Sequence, residues 1–597
     1  MDEQNLAQVF RNRSTQYADL TRWRQSRKGS WITATFKENQ LQANQIMAGL
    51  RELGAARGDR IGILSNTSCE WLTADWAIMS MGCATVTIYP TLLPATVAYI
   101  VNDSELRFLF VENAALLASL DGVQGQLERV ERFIVFDGDG LPDDPRVMSW
   151  EALRTLSKAT PTQQDAQAAS DAASIGREDL ATIVYTSGTT GEPKGAMLAH
   201  RCFLSELAAV RVRVPEFEPG KSDLLFLPTA HILARVQHMV GMDRGMTTAI
   251  TESAKTVIED VQAVKPEFFF SVPRIYEKIF STVRAKAEAK PASKKIFQWA
   301  LGVGREVSRA KQRGEQPSTL LRAQYKLADR LIYKKVRAVL GGNIRFAITG
   351  GAPLDLEILE FFHGMGILLM EAWGLTETTA AATANGNGEY RLGTVGKALP
   401  GVEIKLAEDG EILLRGGIVM TGYYNNAKAT RETMADGWFH TGDIGELDRD
   451  GYLKIVDRKK DLLITAAGKN IAPQAVEAAF KNSPYISQCA VYGDRKPYLV
   501  ALLTLDPEAL GSWADTNGLN LNGDSSQHEK VRELIADEVR QANAGLAQFE
   551  RVKYYEILPE DFTVDNGLLT PTLKLRRRHI YDQFKPTFEG LYQGKAD

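Results

Sequence analysis

Apolar positions in the first half of the chain follow two periods in turn. Ile46, Leu50 and Leu53 recur at the spacing of one helical face, and Gly54 stands where a helix closes on a residue free to take positive φ. Beyond it, Arg60–Leu64 predicts a strand, Glu70–Met81 a helix and Ala84–Ile88 a strand. Phe108–Val111, Phe133–Phe136 and Ala181–Val184 are further apolar runs of buried-strand length. Such alternation predicts a doubly wound α/β body. Residues 156–178, rich in Ala, Gln, Ser, Thr and Asp, read as a surface linker, and residues 274–340 as long basic helices. After about residue 400 the pattern turns to short strands broken by Gly and Asp, a β-rich subdomain ending near Asp457. From about residue 461, helices and short strands mix as in a small α+β domain. A chain of 597 residues is too long for one hydrophobic core. We therefore expect residues 1–459 to form the large N-terminal body and residues 460–597 a separate C-terminal domain.

Composition narrows the function classes. With 44% hydrophobic and 24% charged residues the chain is an ordinary globular one, and a net charge of -4 argues against a nucleic-acid binder. Cys69, Cys83, Cys202 and Cys489 lie far apart with no CxxC pair, which argues against a zinc cluster or a disulfide framework and suits a reducing cytosol. The acidic, polar start MDEQNLAQVF is unlike a secretory signal, and no apolar run approaches the ~20 residues of a membrane span. Charge is nevertheless uneven. Residues 271–340 hold 17 Lys and Arg against five Asp and Glu, a local excess of +12, with Ile275, Phe280, Phe297, Trp299, Leu321 and Tyr325 interleaved. Two readings stay open: a solvated helical face, or amphipathic helices touching an anionic membrane from the cytoplasmic side.

The first motif follows the apolar run Ala181–Val184. It is YTSGTTGEPKG, from Tyr185 to Gly195. Gly188, Gly191 and Gly195 let the backbone turn tightly and aim N–H groups at an anion. Thr186, Ser187, Thr189 and Thr190 add hydroxyl donors, and Lys194 adds a point charge suited to phosphate. It is not the GxxxxGK[ST] loop, because Pro193 stands at the second glycine counted from Gly188. Nor is it a GxSxG elbow around Ser187, because Tyr185 takes the first glycine position. A hydroxyl-rich surface turn is the plainer alternative.

This run resembles the phosphate-loop signature of the adenylate-forming superfamily of acyl-CoA synthetases, luciferases and peptide-synthetase adenylation domains. The resemblance extends from about residue 30 to about residue 580. LPTAH, ending at His231, resembles the segment whose histidine borders the acyl pocket. Arg235 stands four residues on, where some fatty-acid enzymes of the family carry a tryptophan gate. ITGGAP, with Gly350, Gly351 and Ala352, resembles the adenine-side loop. WGLTE resembles the family's aromatic-Gly-x-Thr-Glu motif. It implies that Trp373 and Gly374 lie against the base, that Thr376 touches phosphate, and that Glu377, with Thr186, holds Mg2+ on the ATP phosphates. In DGWFHTGD and GYLKIVDRKKD, similar to the fatty acyl-CoA synthetase signature, Asp443 would bind the ribose hydroxyls, Arg458 would support them, and Lys460 would be the hinge of a mobile C-terminal domain. Gly468 falls in the loop that relatives swing in for thioester formation, and Lys574 matches the catalytic lysine near the C-terminus.

The resemblance implies a two-step reaction with ATP and coenzyme A as co-substrates and Mg2+ as metal. A fatty acid is adenylated, with Lys194, Thr376, Glu377 and Lys574 at the reacting centre, and is then passed to coenzyme A. It implies a long-chain fatty acid as the substrate and leaves room for a homodimer. The segment after His231 has no acidic residue to hold an amino group, which disfavours amino-acid substrates. Two alternatives stay open: a ligase handing the acyl group to a carrier protein, separated by coenzyme A dependence, and a non-catalytic scaffold, against which stand Lys194, Glu377, Asp443, Arg458 and Lys574.

Overall fold

The computed structural model describes residues 2–27, 29–186, 192–253, 256–288, 290–466, 469–521, 523–570 and 574–593. Two large sheets form the body. In one, Arg60–Leu64, Ala84–Ile88, Phe108–Val111 and Arg132–Val135 run parallel and join Leu180–Thr186 through Ala84–Ile88. Leu180–Thr186 turns back antiparallel onto Lys194–Ala199, with Thr186 opposite Lys194. In the other, Ser222–Leu225, Phe268–Ser271, Phe346–Thr349 and Leu368–Trp373 are parallel neighbours. Helices pack on both sheets, so the parallel strands are buried on both faces and read as continuous apolar runs.

A mostly antiparallel sheet of Val402–Leu406, Glu411–Gly416, Trp438–Leu447 and Leu453–Arg458 follows, the β-rich part expected after residue 400. From Leu463 onward the buried side chains form clusters of their own. Ile486–Tyr492 pairs antiparallel with Leu499–Leu505, which pairs parallel with Val552–Ile557. Val476, Phe480, Val531 and Ile535 fill one core of this unit, and Phe562, Leu568, Ile580 and Phe588 the other.

One expected element is corrected. Within residues 156–178, Pro161–Ser174 is a helix instead of a linker. Thr160 caps it, its hydroxyl accepting from the Gln163 amide while Gln163 returns a bond to the Thr160 N–H. Gln164, Ala168 and Ala172 are buried at four-residue spacing, so small side chains make the inward stripe. That stripe carries little hydrophobicity, so the sequence pattern there resembles a linker.

Residues 274–340 are mainly helical, as their pattern predicts. They fold as the helices Pro273–Glu288, Pro291–Gln312 and Thr319–Ala328, continued by a π-turn and Lys334–Val339. Phe280 and Phe297 are buried in the body, and Ile275, Trp299, Leu321 and Tyr325 pack on the same core. Two of the six are thus buried and four partly buried against the body, so these helices turn an apolar side toward the core. No helix among the described residues is long and apolar enough to cross a membrane.

Candidate active site

The site collects at strand ends. Leu180–Thr186 delivers Thr186 at its C-terminal end, and the returning strand begins at Lys194. The Thr186 hydroxyl lies 3.4 Å from the Lys194 carbonyl. Ser187, Gly188, Thr189, Thr190 and Gly191 lie outside the described residues. Lys194 extends its ammonium over the Tyr423 ring, 5.3 Å from the centroid. Gly422–Tyr423 is a short strand paired to Lys194–Ala199.

Leu368–Trp373 carries the next group, and the chain turns sharply after it. Thr379 and Ala380 take positive φ, and a Cβ on Gly374 would collide with the Ala380 carbonyl, so glycine is required there. The single turn Thr376–Thr378 presents Glu377, whose Oε1 accepts from the Tyr423 hydroxyl at 2.7 Å. Burial and that carboxylate push the Tyr423 phenol well up, so it stays a donor. The Glu377 carboxylate thus keeps its second oxygen without a protein partner among the described residues. One oriented carboxylate in the neighbourhood of a lysine ammonium fits a Mg2+ held mainly by nucleotide phosphates. Gly350, Gly351 and Ala352 form the turn after Phe346–Thr349, with Gly351 at φ +88.

Asp443 and Arg458 face each other across the antiparallel pair Trp438–Leu447 and Leu453–Arg458. Asp443 Oδ1 is 3.5 Å from the Arg458 Nε, and its Oδ2 accepts from the Trp373 indole N–H at 2.9 Å. Trp373 therefore does more than offer a flat face: its N–H orients the carboxylate. Desolvation raises the Asp443 pKa, opposed by Arg458, the indole bond and Lys574. Lys460 is exposed in the turn beyond Arg458, and Gly468 lies outside the described residues.

Lys574 arrives from the other end of the chain. Leu569 and Leu575 bridge antiparallel, the Thr570 amide donates to the Lys574 carbonyl at 2.8 Å, and the Thr570 hydroxyl accepts from the Lys574 amide. The Lys574 side chain is exposed, and its charge lies in the field of Arg458 and Asp443. Desolvation first, and Arg458 next, push its pKa down to about 8, with Asp443 opposing. Water reaching the exposed side chain weakens that shift. Its charge also acts on His231. His231 caps the helix Ile232–Asp243, its Nδ1 accepting from the Leu233 amide at 3.2 Å. Desolvation lowers its pKa to about 4, so the ring is neutral at pH 7 with its proton on Nε2.

The structure thus brings Lys574, Asp443, Arg458, Trp373 and His231 into one electrostatic neighbourhood, and Lys194, Tyr423 and Glu377 into another. Tyr423 was not found in the sequence. It lies 46 positions from Glu377 in no recognised motif, and the Gly422 beside it is the only local signal. Arg235, at the tryptophan-gate position, is fully buried and bonded to Asp75, with Nε 2.8 Å from Oδ2. It is therefore held as a core ion pair and not as a gate.

Comparison with known proteins bears on this arrangement. A family model described as AMP-binding enzyme matches residues 10–424, and one described as AMP-binding enzyme C-terminal domain matches residues 460–596. The long-chain-fatty-acid–CoA ligase FadD15 of Mycobacterium bovis is 37% identical over 94% of this chain and 93% of its own length. The human long-chain-fatty-acid–CoA ligase 1 is 32% identical over 89% of this chain and 78% of its own. Among solved structures, the A domain of a carboxylic acid reductase from Segniliparus rugosus, in complex with AMP and a co-purified carboxylic acid, superposes at a TM-score of 0.76. It covers 98% of this chain and 94% of its own at 20% identity, which speaks for the fold.

Proposed function

This chain belongs to the AMP-binding enzyme family, and from that membership we propose that it activates a long-chain fatty acid with ATP and transfers the acyl group to coenzyme A. The relatives' names support the acid and the acceptor. One observation carries the chemistry: Lys574, from the far end of the chain, lies in the electrostatic field of Asp443, Arg458 and His231.

In the first step a carboxylate oxygen attacks the α-phosphorus of ATP, the bond to the β-phosphate breaks and pyrophosphate leaves. In the second, the thiolate sulfur of coenzyme A attacks the acyl carbon and AMP leaves. Neither step needs a protein nucleophile, so positioning and charge stabilisation supply the rate. Asp443, aimed by Trp373 and Arg458, accepts hydrogen bonds from the ribose hydroxyls. Lys194 holds the departing phosphates with residues 186–191 and Thr376, and Gly350, Gly351 and Ala352 flank the base together with Gly374. Lys574 meets the negative charge shared by carboxylate and α-phosphate. The neutral His231 ring offers its Nε2–H at the acyl side. Glu377, with Thr186, would hold Mg2+, which supplies charge neutralisation on the phosphates.

In the same reading, residues 1–459 and 460–597 are two domains that turn about Lys460 between the steps, and Gly468 enters for the second. Peripheral contact with an anionic membrane through 271–340 is also proposed. Its support is that Leu320, Leu327 and Leu331 are 70%, 52% and 37% exposed, among the exposed cations Lys326, Arg330, Lys334 and Lys335.

The test is to incubate the purified protein with Mg-ATP and saturated fatty acids of graded length, with and without coenzyme A, and score products by mass spectrometry. Acyl-CoA formed only with coenzyme A is expected. Acyl-adenylate accumulating without conversion would instead favour transfer to a carrier protein.

A further inference from the structure

Lys574 works only if its hairpin is delivered to the body in one orientation, and a particular face of the body meets the unit that carries it. The helix Pro273–Glu288 presents Arg274, Glu277 and Lys278 toward the C-terminal unit. Their counterparts alternate in kind. Arg274 donates to the Ser487 carbonyl at 3.0 Å and to its hydroxyl at 3.3 Å, Glu277 lies in the field of Lys481, and Lys278 is 3.2 Å from Glu508. The Lys278 pair is largely exposed, at 66% and 80%, so it contributes little. Arg274 is half-buried and its acceptor Ser487 is buried, so its bonds are shielded from water.

What Ser487 holds gives Arg274 its reach. The Ser487 hydroxyl donates to Asp561 Oδ2 at 2.6 Å. Asp561 accepts from the Phe562 amide at 2.8 Å and from the Thr504 hydroxyl, and its carbonyl accepts from the Asn566 side chain at 2.9 Å. Asn566 in turn accepts from the Thr563 amide, and the Leu568 carbonyl accepts from the Arg576 amide. This is the segment that ends in Lys574. A continuous set of hydrogen bonds therefore runs from a body helix, through Ser487 and Asp561, to the root of the lysine hairpin.

We propose that Arg274 is a positioning residue for acyl-adenylate formation: it seats the C-terminal unit, through Ser487 and Asp561, so that Lys574 enters the cleft. The proposal rests on the two-position reading above. When the C-terminal unit turns away for thioester formation, the Ser487–Asp561 bonds travel with it and the Arg274 bonds are lost. Arg274 thus acts on one half-reaction only. A residue that merely stabilised the fold would act on both.

The experiment measures both half-reactions of the full chain: pyrophosphate release from Mg-ATP and palmitate, and acyl-CoA formation from supplied palmitoyl-adenylate and coenzyme A. Arg274→Ala is expected to slow the first about tenfold, through loss of the two charged hydrogen bonds to Ser487, and to leave the second unchanged. Arg274→Lys, which keeps charge without the fork, should fall between, and Lys278→Ala should change either step less than about twofold. An unchanged thermal midpoint for Arg274→Ala is expected, since the side chain lies between two separately packed cores. Equal loss of both half-reactions, or loss of neither, overturns the inference. Lys574→Ala run alongside separates the two ideas. If it abolishes pyrophosphate release while Arg274→Ala does nothing, only this inference fails. If Lys574→Ala spares the first step, the two-position reading fails and takes this inference with it.

Discussion

The two halves of the site are built differently. Asp443, Arg458, Trp373, Glu377 and Tyr423 stand on or beside strands of the body and hold one another by side-chain bonds, so their geometry exists before any ligand arrives. Lys574 stands on a hairpin of a unit with its own two cores, and its backbone is bonded within that hairpin to the Thr570 amide and hydroxyl. Strand-borne groups suit what both steps share, nucleotide binding. A lysine on a separately packed unit suits a charge needed in one step and unwanted in the next, because a rigid body can move without repacking a core.

The sharpest way to break this contrast is Lys574→Ala. Acyl-adenylate formation should fall by roughly two to three orders of magnitude, as when a transition-state charge donor is lost, while thioester formation from supplied acyl-adenylate persists. Equal loss of both would mean that the two regions act as one. Next in size is Tyr423→Phe, which removes the hydroxyl that orients Glu377. It should slow acyl-adenylate formation about tenfold and raise the Mg2+ concentration needed for half-maximal rate. An unchanged Mg2+ dependence would detach Tyr423 from Glu377's proposed role.

The pH profile sharpens the comparison further. The Lys574 pKa is lowered toward about 8, so its charged fraction falls as pH rises through that value. Acyl-adenylate formation should decline there or somewhat above, given screening by cleft water, with the thioester step lacking that limb. A flat profile for pyrophosphate release up to pH 10 would remove Lys574 as a required cation. The smallest effect is expected from Trp373→Phe, which keeps an aromatic face and loses the N–H bonded to Asp443. The KM for ATP should rise two- to tenfold with little change in kcat. If ATP binding is untouched, the indole bond does not serve the ribose site.

Much of the body was legible because parallel strands covered on both faces must be apolar throughout. Arg60–Leu64, Ala84–Ile88 and Phe108–Val111 stand where the pattern put them. Pro161–Ser174 was not, because alanine fills a close helix contact without registering as hydrophobic. The basic helices were legible as helices, but which way their aromatic faces point depended on what lay opposite. Phe280 and Phe297 proved to be core.

The site divides the same way. Short-range chemistry, glycines that must turn and hydroxyls next to a lysine, is written within a few consecutive residues. The sequence by itself therefore determined the family resemblance, the motif residues and the likeness to a two-step acyl-activating chemistry. Only the tertiary structure decided that Tyr423 bonds Glu377, that the Trp373 N–H points at Asp443, that Arg235 is paired with Asp75, and that Arg274 touches the unit bearing Lys574. Each of those joins residues tens to hundreds of positions apart. A hydrogen bond acts over about 3 Å, and no local spacing records which distant segments packing will bring that close.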